Sequence, residues 1–232
     1  MPQKDSVQSM FNEISGKYDF LNHFLSFGID ILWRKRLVKE ILKSKPLHVL
    51  DLATGTADLA IELCRKGDVK VTGADISEKM MVVGREKIEK AGLSGRIELS
   101  FGDAENLGFG NDAFDAVMIA FGVRNFEDLH KGLSEMLRVV KNGGEVMILE
   151  FSHPQSFPIK QFYGFYSRFL IPTLGNFISS HRSAYRYLPE TVAAFPSGKT
   201  FLRILEETGF MGCRRISLSG GIASIYTGKK PS

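Results

Sequence analysis

The hydrophobic pattern of this chain switches repeatedly between short apolar runs and helical spacing from about residue 47 to 151. Leu47 to Leu52 is apolar apart from His48 and Asp51. Leu59 and Leu63 then recur four apart, as on one face of a helix. Val69 to Ala74 is a second run, closed by Asp75. The pattern predicts a strand over 47–52, a helix over about 57–65 and a strand over 69–74. Ser77 can cap a helix that ends near Gly92. Ile97, Leu99 and Phe101 alternate as a third strand, and Phe114 to Phe121 reads as a buried fourth. Leu129, Leu133, Met136, Leu137 and Val140 give the next helix its apolar face. Lys141-Asn142-Gly143-Gly144 reads as a stop and turn before a fifth strand, Glu145 to Phe151. Strands alternating with helices predict an α/β fold, a parallel sheet covered on both faces.

The flanks differ. Residues 7–43 read as helical, with a break near Ser26-Phe27-Gly28. Residues 154–196 are rich in aromatics (Phe157, Phe162, Tyr163, Phe165, Tyr166, Phe169, Phe177), punctuated by five prolines. They read as an insertion, helical in pieces, before a last helix (about 197–208) and a terminal hairpin (about 211–217 and 222–228). The aromatics either pack on the sheet or form a greasy entrance for an apolar substrate.

At 232 residues the chain suits one α/β domain, and 44% apolar with 24% charged residues is ordinary for a globular protein. The net charge of +4 is spread in short pairs, not in a nucleic-acid stripe. Cys64 and Cys213 stand alone, which gives neither a zinc set nor a disulfide framework. The polar start does not read as a secretory leader, and no apolar run approaches the roughly 20 residues that span a bilayer. A reducing cytoplasm fits best.

In such a sheet the ligand lies at the carboxyl ends of the strands. Asp51, Asp75, Asp103, Ala120 and Glu150 fall at or just after those ends. Asp75 follows Gly55 by twenty residues, at the tip of the second strand, where a carboxylate can accept both hydroxyls of a ribose. Gly55 lets the backbone turn sharply near a ligand. A dinucleotide fingerprint needs three glycines for its pyrophosphate. Here Gly55 is the turn's one glycine, and Asp51 and Asp58 flank it. Acids repel a pyrophosphate and suit a cation, and S-adenosylmethionine brings a ribose, a sulfonium and an ammonium without phosphate.

These features together resemble the class I methyltransferases that use S-adenosylmethionine. Tyr18-Asp19-Phe20-Leu21-Asn22-His23-Phe24-Leu25-Ser26-Phe27-Gly28-Ile29-Asp30-Ile31-Leu32-Trp33 resembles the N-terminal signature of the ubiquinone/menaquinone C-methyltransferase family. Arg138 to Gly144 running on to Leu149-Glu150-Phe151-Ser152 resembles its second signature, and Phe121-Gly122-Val123-Arg124-Asn125 is similar to another of its motifs. Tyr185 to Glu190 also fits, so the resemblance runs from about Val7 to Tyr226. Two residues depart from the pattern: Asp30 stands where the family usually has histidine, and Asn142 where it usually has proline.

The resemblance implies a Rossmann-like, mostly parallel seven-stranded sheet. It also implies a helical lid over about 7–43 and a substrate-side insertion over about 154–196. It carries cofactor binding onto Thr56, Asp75, Asp103 and Ala104, and onto the backbone of Ala120, beside Asp51 and Gly55 of the turn. The reaction implied is methylation of a ring carbon of a polyprenyl quinol, more in the manner of menaquinone-pathway than ubiquinone-pathway members, with no metal. Arg124 either stabilises a phenolate or pairs with a nearby acid. Asp19 and His153 are candidate proton acceptors. Tyr18, Asn22, Tyr185 and Tyr187 are candidate substrate contacts, or anchors of their segments. A tailed quinol further implies weak, reversible contact with anionic membranes, and a homodimer is left open. The rivals are a methyltransferase of another small apolar molecule or of RNA, a nicotinamide-dependent oxidoreductase, and a non-catalytic binding protein.

Overall fold

A computed structural model describes residues 3–155, 157–165 and 182–232. Seven strands form one sheet: β1 (His48–Leu52), β2 (Lys70–Asp75), β3 (Ile97–Phe101), β4 (Phe114–Ala120), β5 (Val140–Phe151), β6 (Met211–Leu218) and β7 (Ala223–Lys229). Their spatial order is β3-β2-β1-β4-β5-β7-β6. The first five pair in parallel, and β7 lies antiparallel between β5 and β6. The expected mostly parallel seven-stranded architecture is therefore the observed one.

Alternation along each strand divides the core into two layers. Val49, Met118, Met147 and Ile225 face one side. Leu50, Ile119, Ile148 and Tyr226 face the other. The helices that cover these layers are α1 (Lys4–Ile14), α2 (Tyr18–Leu25), α3 (Ile29–Ile41), α4 (Asp58–Lys66), α5 (Glu78–Lys90), α6 (Leu129–Val139), α7 (Ile159–Phe165), α8 (Arg182–Ala194) and α9 (Lys199–Thr208). Trp33, Leu37 and Ile41 of α3 join Leu59, Leu63 and Cys64 of α4 on the first side. Leu133 and Met136 of α6 and Phe201 and Leu205 of α9 fill the second.

Local chemistry explains most boundaries. Ser77 caps α5, its hydroxyl accepting from the Met80 amide. Asp128 does the same for α6 through Lys131. Gly28 adopts φ 73° at the break before α3, and Gly209 adopts φ 112° where α9 stops. Two expectations need adjustment. The N-terminal helical stretch breaks twice, since a 3₁₀ turn over Ser15–Lys17 separates α1 from α2. The fifth strand begins at Val140, five residues early. Phe114 pairs with Val140 and Ala116 with Glu145, so Lys141–Gly144 bulge out of the ladder. Gly143 turns at φ 74° within that bulge, and the Lys230 carbonyl accepts its amide at 3.0 Å. The stop signal was real, but the terminal strand recovers the backbone bonds.

Candidate active site

The strand ends build one wall of a cavity. Leu52 ends β1 and Ala53 and Gly55 follow it, Asp75 and Ile76 close β2, Gly102 to Glu105 follow β3, and Ala120 to Gly122 end β4. Lys4, Val7, Phe11 and Tyr18 approach from the N-terminal helices, and Met80 from α5. The turn after β1 holds three residues at positive φ, namely Ala53 (52°), Gly55 (55°) and Ala57 (64°). Two of them are not glycine, so the turn stores strain of the kind that gathers at functional sites.

Asp75 organises this wall. Its Oδ2 accepts the Gly55 amide and its Oδ1 the Ser77 amide, both at 2.8 Å. Burial pushes its carboxyl up, while those amides and that of Ile76 pull it back. Asp103 accepts the Glu105 amide at 2.9 Å and the Lys4 ammonium at 2.7 Å. Lys4 also stands 3.5 Å from Glu105.

Of the expected cofactor residues, Gly55, Asp75, Asp103, Ala104 and Ala120 line the cavity. Asp51 and Thr56 stand behind it. Asp51 is buried beneath the turn and accepts the Thr54 hydroxyl at 2.6 Å. The Thr56 hydroxyl donates to Asp19 at 2.6 Å. Asp58 departs from expectation, because its charge is taken by Lys87, which also binds Asp19 at 2.7 Å. The acids that face the cavity are instead Asp75, Asp103, Glu105 and Glu127.

Burial pushes the Asp51 carboxyl up to about 7, with the charge of Asp75 adding to the effect and Thr54 opposing it. The unfolded chain loses that proton near pH 4. The native state therefore binds more protons between about pH 4 and 7, and stability falls as pH rises across that window. In Asp51→Asn this fall should vanish. Its unfolding free energy relative to the parent should improve by roughly 2–3 kcal/mol from about pH 5 to about pH 8. Urea titrations at the two pH values check this, and an unchanged difference between the proteins would sink it.

Among the expected catalytic residues, Arg124 is buried in the 3₁₀ turn after β4. Its Nη1 lies 2.9 Å from Glu150 Oε1 and also reaches the Phe121 carbonyl. Its guanidinium sits 5.4 Å from the centre of the Phe151 ring. The Nε donor is buried with no hydrogen-bond partner among the described residues. Tyr187 donates its hydroxyl to Asn125 at 2.8 Å, and burial raises its phenol to about 12. Burial also raises Tyr18, with the charge of Arg124 opposing it. Both phenols thus stay protonated at neutral pH and can donate. His153 lies 3.0 Å from the Ser197 hydroxyl. The side chains of Phe162, Phe165 and Tyr185, and the whole of Phe169, lie outside the described residues.

The sequence reading expected an N-terminal helical lid but did not single out Lys4, Val7 and Phe11 on it, and it missed the Lys87 junction. Val7 and Phe11 are four apart, and Lys4 precedes Val7 by three. That spacing marks one helical face, though nothing in it says what the face covers.

Comparison with known proteins accords with this geometry. Among solved structures, a methyltransferase of Thermotoga maritima aligns over 96% of this chain and 99% of its own, with a TM-score of 0.68 at 19% identity. The phosphoethanolamine N-methyltransferase 2 of Haemonchus contortus, solved with S-adenosyl-L-methionine, aligns over 80% of this chain and 49% of its own, with a TM-score of 0.58 at 16% identity. At such identities the likeness is one of fold. Relatives in sequence are nearer. The demethylmenaquinone methyltransferase of Bacteroides fragilis is 45% identical across 98% of this chain and 94% of its own length. The ubiquinone/menaquinone biosynthesis C-methyltransferase of Geobacter sulfurreducens is 44% identical across 97% and 89%. The model of the ubiE/COQ5 methyltransferase family matches residues 1–230, nearly the whole chain, and to that family the chain belongs.

Proposed function

We propose that the protein transfers a methyl group from S-adenosylmethionine to a ring carbon of a polyprenyl demethylquinol, converting demethylmenaquinol to menaquinol. The observation that carries this reading is the 45% identity, over 98% of the chain, to the B. fragilis demethylmenaquinone methyltransferase. The second reading is C-methylation of 2-methoxy-6-polyprenyl-benzoquinol in ubiquinone biosynthesis. The G. sulfurreducens relative favours it, because its name covers both pathways.

The cavity suits the cofactor. Four carboxylates face it against one cation, Lys4. A sulfonium and an ammonium are favoured by such a wall, and a pyrophosphate is repelled. Bound S-adenosylmethionine supplies the methyl group and a neutral thioether leaving group. Asp75 accepts the ribose hydroxyls. Asp103 accepts the adenine amine, Ala104 offers its amide, and Gly55 and Ala120 bring backbone close. Asp51 and Thr56 hold the turn from behind.

The quinol must lose a phenolic proton to gain nucleophilicity at the ring carbon, so a donor that favours the phenolate lowers the barrier. Arg124 is suited to that task, since buried donors are nearly always paired and its Nε still seeks an acceptor. Tyr18, Asn22, Tyr185 and Tyr187 orient the ring in this reading. Asp19 is engaged with Thr56 and Lys87, which favours anchoring over proton transfer. The Ser197 hydroxyl is the neighbour His153 would have to leave in order to act as a base.

In this reading the protein works in the cytoplasm, in weak and reversible contact with the membrane that holds its substrate, and a homodimer is left open. Incubation with labelled S-adenosylmethionine and a panel of reduced demethylquinones should give a labelled product one methylene heavier. Methylation of the naphthoquinol alone would support the first reading, and of the methoxybenzoquinol alone the second. No label in either would refute both.

A further inference from the structure

Exposed apolar side chains are concentrated at one place. Among the described residues, six of the eleven large hydrophobics that remain exposed lie between 20 and 32, so the exposure is a patch and not scatter. Phe20 is 60% exposed and Phe24 38%, and their rings stack with centroids 5.9 Å apart. At about 100° per residue, both fall on the side of α2 opposite Tyr18 and Asn22. Phe27, in the break, is 75% exposed, and Leu32, in the second turn of α3, is 62% exposed.

The break beneath this patch is built firmly. Asp30 is buried and accepts the Ser26 hydroxyl at 2.6 Å and His23 Nδ1 at 2.9 Å, with Arg34 as a third partner. The apolar surface is thus mounted on a satisfied polar knot. A basic flank adjoins it. Lys35 follows Ile31 by four and Lys39 follows Lys35 by four, which sets them along one stripe of α3. Both are exposed and have no ion-pair partner among the described residues, whereas Arg36 and Lys43 are committed to Glu40.

We propose that the α2–α3 turn is the surface on which this protein docks to a bilayer containing anionic lipid, with Phe20, Phe24 and Leu32 entering the interface and Lys35 and Lys39 meeting the headgroups. Aromatic rings beside unpaired lysines suit that boundary, where one side is apolar and the other wet and negative. Tyr18, on the opposite side of the same short helix, lines the cavity. A quinol whose tail stays in lipid would therefore meet the cavity beside α2. The inference rests on the proposed quinol chemistry for that last step only, because docking itself needs no substrate. It sets the membrane face on the N-terminal helices, whereas the sequence left the aromatic insertion open between sheet packing and a greasy entrance.

The test uses the full chain and vesicles of phosphatidylcholine with and without phosphatidylglycerol. The parent should sediment with the anionic vesicles, and less so at high salt. The triple variant Phe20→Ser, Phe24→Ser, Leu32→Ser should lose vesicle affinity on the order of a hundredfold, with Tm and cofactor affinity unchanged. Lys35→Glu with Lys39→Glu should abolish the preference for anionic lipid. On a short-tailed quinol in solution the triple variant should turn over like the parent, and on a long-tailed quinol in vesicles it should fail. Parent-like vesicle binding by the triple variant would overturn the proposal. So would a parent that ignores vesicles but forms a dimer, by ultracentrifugation, which the triple variant loses; that result would assign the face to a second copy. If the parent methylates neither quinol yet the vesicle results hold, the activity reading fails and the docking surface stands.

Discussion

Replacing Asp75 by alanine should weaken S-adenosylmethionine binding by about ten- to hundredfold, the equivalent of hydrogen bonds to a charged group. The loss has two sources. The ribose hydroxyls would lose their acceptor, and the Gly55 and Ser77 amides would lose theirs. The second source loosens both the glycine turn and the cap of α5, so Tm should fall as well. Asp75→Asn keeps an acceptor oxygen and should recover part of both losses. Calorimetric titration of the three proteins decides the matter, and undiminished affinity in Asp75→Ala would remove the ribose assignment. An inosyl analogue of the cofactor, titrated alongside, addresses Asp103. Without the exocyclic amine it should bind more weakly.

Glu150→Leu should cost about 3–5 kcal/mol of stability, because it strands the Arg124 guanidinium in the core without its carboxylate. For a chain of this size that is a fall in Tm of roughly 6–20 °C. The isosteric Glu150→Gln keeps an acceptor for Arg124 and should cost less. Removing both charges in Arg124→Met with Glu150→Leu should recover much of the loss, since a buried pair contributes little net stability compared with apolar residues of similar size. If the double variant is as unstable as Glu150→Leu alone, the loss comes from packing and not from an uncompensated charge.

The strands were legible because each buried strand is a run whose alternate residues must meet opposite layers. Val49 beside Leu50, and Met147 beside Ile148, are apolar for two different neighbours. Asp75 was legible because it closes an apolar run twenty residues after Gly55, at the tip of the second strand. The break at Ser15 was not, since Ile14 and Tyr18 keep helical spacing across it. The early start of β5 was hidden by two glycines that signal a turn and also permit a bulge. Least legible were the polar junctions. Lys4 meets Asp103 across 99 residues of sequence, and Lys87 meets Asp19 across 68. Lysines on a surface helix look alike in sequence, and only the fold says that Lys87 closes a cluster while Lys90 reaches no further than Glu86 on its own helix.

The place of β7 has a consequence for how the chain is made. Ribosomes deliver residues in order, and β5 is complete some seventy residues before β7 emerges to pair with it. Until then the whole length from Glu145 to Phe151 is an open edge, rich in Val, Met, Ile and Leu. Such an edge recruits other strands as readily as its proper partner. A nascent chain stalled before residue 223 should therefore carry its aggregation hazard at the middle of the finished sheet.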